Sequence, residues 1–170
     1  MKALKQARHG HLKASLALIA GVVGVCAVVP AHAGLGGDPL SAPQGATTAK
    51  AVVHAAASGA SASAASDYTV RTTTLASGTV VNEYVSSAGT VFGIAWRGPR
   101  MPDLATLLGS YFPQYQQGLL AQRTARGGRG PVSVQDPGLV VNSGGHMGSF
   151  AGSAYLPQSL PAGVSASDIQ

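Results

Sequence analysis

A chain of 170 residues and 16.9 kDa sets an expectation of one domain, and its net charge is +5 with a pI near 9.7. Charged residues are only 10% of it, far below the ordinary ~25%, which excludes a charge-rich disordered chain. The 23 glycines and 10 prolines amount to about a fifth of the chain, under the ~25–30% that marks low complexity. The basic pI raises the question of a nucleic acid or a membrane surface as partner, and the answer depends on where the positive charge lies.

Most of it lies at the N-terminus. Met1 to Lys13 carries Lys2, Lys5, Arg8 and Lys13 and no acid, and Ala14 to Val29 follows as 16 uncharged residues. Pro30-Ala31-His32-Ala33 then supplies an Ala-x-Ala cleavage site. A cationic stretch, an apolar stretch and a small-residue site form a secretory signal peptide, residues 1–33. The apolar run falls short of the ~20 residues that span a bilayer, so the expected product is not an integral membrane protein. Lipidation of Cys26, the single cysteine, is disfavoured by the preceding Val23-Gly24-Val25, which has Val where a small residue is expected. Cleavage after Ala33 leaves 137 residues with seven cations and six anions, a net +1. The mature chain then has no cysteine for a disulfide, a thiolate nucleophile or a metal site. Its near-neutral charge and its export argue against a nucleic-acid partner.

Residues 34–66 read as a low-complexity Ala/Ser-rich lead-in, with 11 alanines among the 25 residues from Ala42 to Ser66. Such side chains bury little area to set against chain entropy. The alternative is a short docked helix over Ala49 to Ala57, ended by Ser58-Gly59. From Tyr68 the composition turns β-branched. Tyr68 to Leu75, Thr79 to Val85 and Thr90 to Arg97 predict three strands joined by short Gly-containing turns, an antiparallel meander. In the third strand, alternation places Phe92, Ile94 and Trp96 on the core face. Glu83 is expected to face outward from the second strand.

Gly98-Pro99 ends the sheet, and Asp103 is placed to cap a helix. Leu104, Leu107, Leu108, Tyr111, Phe112, Tyr115 and Leu119 follow at helical spacing, with Pro113 predicting a break near Gly109 to Phe112. Arg123 to Gly130 reads as a loop. Val132–Val134 and Leu139–Asn142 read as short strands, Ser143-Gly144-Gly145-His146 as a tight turn, and Met147 to Leu156 as a returning strand. Ser165 is placed to cap a last helical turn. The expected fold is α+β: an antiparallel sheet, made of the meander plus C-terminal strands, covered by one main amphipathic helix. The domain occupies residues 67–170.

These residues carry a resemblance. Gly78 to Val85, Gly89 to Pro99, Met101 to Leu104, Leu107 to Phe112, Ser143 to Met147 and Ala154 to Pro157 are similar to the core of a secreted proteobacterial family catalogued as domain of unknown function 2844. The start Gly34-Leu35-Gly36-Gly37-Asp38 resembles that family's mature N-terminus. The resemblance implies an exported protein and carries over no activity and no catalytic residues.

Chemistry is thinly signalled. There is no G-x-S-x-G elbow, no H-E-x-x-H and no phosphate-cradling glycine motif, so no catalytic, cofactor or metal residues are assigned. A Ser–His–Asp set can be drawn only by selection, from Ser143, His146 and Asp136. The expected function is that of a periplasmic, secreted or cell-envelope protein, a non-enzymatic binding or accessory module. Its partner would be an envelope protein or a cell-wall component. The alternative is an envelope hydrolase using His146 with a nearby Ser or Asp. The candidate interaction surface is Trp96, Arg97, Arg100, Asp103, Ser143, His146 and Met147.

Overall fold

The computed structural model describes residues 34–55, 67–127 and 130–170, so the expected signal peptide and residues 56–66 of the lead-in lie outside the described residues. Eight strands, two α-helices and three short 3-10 turns build the described chain. β1 (Thr47–Thr48), β2 (Val52–Ala55), β3 (Asp67–Thr74), β4 (Val80–Ser86) and β5 (Val91–Gly98) lead to α1 (Leu104–Leu108) and α2 (Phe112–Arg126). β6 (Val132–Asp136), β7 (Leu139–His146) and β8 (Ser149–Tyr155) follow. All pairs are antiparallel, in the order β1-β3-β4-β5-β8-β7-β6, with β2 also on β3. The predicted α+β meander is therefore present, and the helices carry the chain from the central β5 to the far edge β6.

Two turns make the meander. Gly78 at φ 81° and Gly89 at φ 86° adopt the left-handed conformation that tight turns require and that glycine takes without a Cβ clash. Leu75 N–H bonds Thr79 O across the first, and Ser86 N–H bonds Thr90 O across the second. The β7–β8 turn falls later than expected. Ser143 to His146 belong to β7, and His146 pairs with Ser149, so Met147-Gly148 make the turn. Gly148 at φ 85° supplies its positive φ.

One sheet face packs on the helices through Val81, Val91, Ile94, Trp96, Leu139, Val141 and Ala154, against Leu107, Leu108 and Tyr115. Each such side chain fully buried is worth about 1.5–3 kcal/mol. The expected grouping of Phe92 with Ile94 and Trp96 fails at one residue. Tyr84 pairs with Gly93 while Val85 pairs with Val91, so Phe92 is an extra residue on β5, a β-bulge. The bulge turns Phe92 to the opposite face, where it packs with Tyr84, Ala95, Val164 and Ile169.

The helical stripe behaves as its spacing predicts. Asp103 accepts Ala105 N–H at 3.0 Å and the Thr106 hydroxyl at 2.7 Å. These bonds hold its carboxyl below the usual range. Gly109 at φ 51° interrupts the helix, a 3-10 turn spans Gly109–Tyr111, and Pro113 sits in the first turn of α2, where its missing N–H has no intrahelical partner to lose.

Residues 34–55 are neither a linker nor a helix. Leu35 N–H bonds Leu107 O, Gly36 N–H bonds Val91 O, and Val91 N–H bonds Gly37 O. Leu35 and Leu40 join the core beside the helices. This strap over the sheet replaces the expected lead-in. Thr47–Thr48 and Val52–Ala55 then pair with β3, so the middle of the segment expected as a possible helix, Val52–Ala55, is strand, while residues 56 and 57 lie outside the described residues; the β-branched Val52 and Val53 suit a strand.

The far edge is guarded. Gln122 on α2 accepts Ser133 N–H at 3.1 Å and donates to Pro131 O at 3.2 Å, so one side-chain amide satisfies a donor and an acceptor that a further strand would take. Gln122→Leu is expected to cost about 1–2 kcal/mol and to make the chain self-associate with rising concentration. Sedimentation of the variant beside the parent checks this.

Candidate functional site

The second sheet face is half covered. The C-terminal segment crosses it, with Val164 and Ile169 seated on Tyr84, Phe92 and Ala95. A capping box fixes its last turn, with Ser165 N–H donating to Asp168 Oδ2 at 2.7 Å and the Ser165 hydroxyl donating to the same oxygen at 2.8 Å. The predicted cap at Ser165 is thus present, and these bonds hold the Asp168 carboxyl below its usual range. Two residues on, Gln170 O accepts the Tyr84 hydroxyl at 2.8 Å and Asn82 Nδ2 at 3.2 Å. Burial pushes the Tyr84 phenol up, which keeps it a donor.

Beside this segment lies a groove of about 810 Å³, a size ordinary for ligand sites. Its floor is Val80, Ala95 and Ala151, its walls are Ala166, Ile169 and Gln170, and Asn82, Arg97, Ser153 and Ser167 supply polar groups. Register explains the polar lining. Thr72, Asn82, Ala95, Ser153, Asn142 and Ser133 stand opposite one another on six successive strands. They form one row across the sheet, at a strand spacing of about 4.8 Å. The Thr72 hydroxyl donates to Asn82 Oδ1 at 2.9 Å, and the Ser133 hydroxyl to Asn142 Oδ1 at 2.9 Å. Arg97 stands one row over, exposed, with Val80 and Ala151 as its cross-strand neighbours.

A second site is closed. Glu83 does not face outward: it is 0% exposed, on the helix face between Val81 and Val85. Its Oε1 accepts Leu40 N–H from the strap at 2.6 Å, and its Oε2 is buried without a hydrogen-bond partner. Burial pushes its carboxyl up, opposed by the Leu40 bond and by Arg71, its cross-strand neighbour. Among the described residues no three His, Cys, Asp or Glu side chains are grouped to hold a metal.

The seven candidate surface residues are dispersed. Trp96 is 2% exposed in the core, its indole N–H is buried without a partner, and its ring offers no outer surface. Ser143 is buried too, its hydroxyl 4.0 Å from Met101 Sδ. Asp103 is occupied as a helix cap. Arg97, Arg100, His146 and Met147 are exposed, Met147 at 94%. Of the seven, Trp96 and Arg97 line the groove, and of these two Arg97 is exposed. Asp136 and His146 lie at opposite ends of the β7 pairing, about 20 Å apart at roughly 3.3 Å per residue. Asp136 accepts Gln114 Nε2 at 2.6 Å, and His146 Nδ1 lies 3.1 Å from Met147 O. Asp136, Ser143 and His146 are not brought together.

Asn82, Ser153, Asn142 and Glu83 were missed as site residues. One signal was present: Asn82 and Glu83 are adjacent on a strand, so alternation must send one of them to each face.

An antiparallel sheet with helices on one face and a polar groove on the other defines a small α+β domain. Among the described residues no helix is long and apolar enough to cross a membrane. A family model described as "Protein of unknown function (DUF2844)" matches residues 31–169, and the chain belongs to that family. No curated protein and no solved structure matches it.

Proposed function

We propose that this chain is exported and serves in the periplasm or cell envelope as a non-enzymatic binding or accessory module. Its ligand site is the groove beside the C-terminal segment. The groove carries the reading, because it is roomy, open and lined by neutral polar side chains and one cationic side chain, with no acidic side chain among them. Export is supported by the cationic and apolar stretches ahead of Ala31-His32-Ala33. Leu35, two residues past that site, is already packed in the core, so cleavage after Ala33 leaves the packed domain whole.

N-terminal sequencing of the protein recovered from an envelope fraction is expected to begin at Gly34. A start at Met1 overturns the export reading.

A further inference from the structure

We propose that the groove and the polar row running out of it bind an acidic, β-linked oligosaccharide laid across the strands. This rests on the groove being the binding site, and it adds the chemical class of the ligand. The spacing of the row suits a sugar chain. From the groove the row continues through Ser153, Asn142 and Ser133, one hydrogen-bonding side chain per strand. Each step is about 4.8 Å, close to the advance of one sugar in a β-1,4-linked chain. Each sugar therefore lies over one hydrogen-bonding side chain, and alternate sugars, which share an orientation, lie over Ser153 and Ser133. An extended peptide crossing the strands advances by about 3.3 Å per residue and falls out of step.

The side chains of the row suit it too. Asn142 and Ser133 are exposed and Ser153 is half-buried. Ser133 donates to Asn142 Oδ1, which turns the Asn142 amide N–H groups outward as donors. Hydroxyls and amides that both donate and accept suit sugar hydroxyls. Ala95 and Ala151 keep the floor low, so a flat ring can lie close to the sheet.

Arg97 sets the charge of the ligand. Arg97 lines the groove, is exposed, and has aliphatic rather than acidic cross-strand neighbours. A planar guanidinium of this kind pairs bidentately with a carboxylate. The ligand therefore carries acid groups on its sugars.

The test uses the full chain as recovered after export, titrated by calorimetry with a β-1,4-linked mannuronate hexamer and with uncharged cellohexaose. The acidic hexamer is expected to bind at least tenfold more tightly. Arg97→Ala is expected to lose at least tenfold toward the acidic hexamer only, and Asn142→Ala to weaken both sugars. Arg126→Ala, a cation at the end of α2 and outside the groove, is expected to leave binding unchanged. Unchanged thermal unfolding shows that the variants fold. No binding of either hexamer, equal binding of both, or acidic binding untouched by Arg97→Ala overturns the proposal. A chain that begins at Met1 yet binds the acidic hexamer overturns export and leaves the ligand class standing. A chain that begins at Gly34 and binds neither overturns the ligand class alone.

Discussion

The chain is expected to lose stability as pH rises from mildly acidic toward neutral, and Glu83→Gln is expected to abolish that loss. The Glu83 carboxyl is buried among Val81, Val85 and Ile94, with Oε2 unpartnered, so its charged form is penalised by desolvation. Its pKa in the folded chain stands above the ordinary value of 4.5. A raised carboxyl means that the folded state holds a proton the unfolded state has released. The stabilising contribution is full below the unfolded value and fades as pH climbs through the folded one. Within that window the slope approaches about 1.4 kcal/mol per pH unit. Gln retains an acceptor for Leu40 N–H and cannot ionise, so urea unfolding between pH 4 and 8 should show a flat profile for the variant where the parent slopes. Equal slopes in the two proteins would refute a neutral Glu83. Glu83→Ala removes the Leu40 partner and opens a cavity, and should cost about 2–4 kcal/mol at the acidic end of this range, where Glu83 is neutral, and less as pH rises.

Gly152→Ala is expected to destabilise by about 1–3 kcal/mol or more and to disturb the tryptophan. A Cβ at Gly152 would stand 2.6 Å from Asn142 O and press on the Trp96 ring at Cζ2 and Cε2. Neither neighbour yields easily. Asn142 O is backbone within the β7–β8 pairing, and Trp96 is 2% exposed between the sheet and the helices. The ring crosses over Gly152 because the two residues are register partners, so a missing side chain on β8 is what admits an indole on β5. Chemical denaturation gives the loss. Trp96 fluorescence, from the chain's one tryptophan, should shift to the red as the indole gains water. A variant with parent stability and spectrum would show that β8 can move away from the ring.

Local chemistry was legible wherever it decided the structure. The glycines at 78 and 89, the Asp103 cap, the apolar stripe through Leu107 and Leu108, and the Ser165 cap each act within a few residues, and each is present. What escaped depends on distant partners. Phe92 follows the alternation rule in isolation, and its bulge is defined only against β4. Glu83 reads as a solvated strand residue until Leu40, 43 positions earlier, arrives above it. The strap itself carries few apolar residues, and its order comes from backbone bonds to Val91 and Leu107. The groove is made of alanine, serine and asparagine, residue types without a motif. It exists because the C-terminal segment folds back to build one wall.

The two covers that close on the central β4–β5 hairpin set an order of events in folding. From one face the strap reaches Glu83 across 43 residues, and from the other Gln170 reaches Tyr84 across 86. Local contacts such as the hairpin turns form early, whereas contacts this far apart in sequence must first overcome loop-closure entropy. The hairpin is therefore made long before it is sealed, and its second face stays open until residue 170 has left the ribosome.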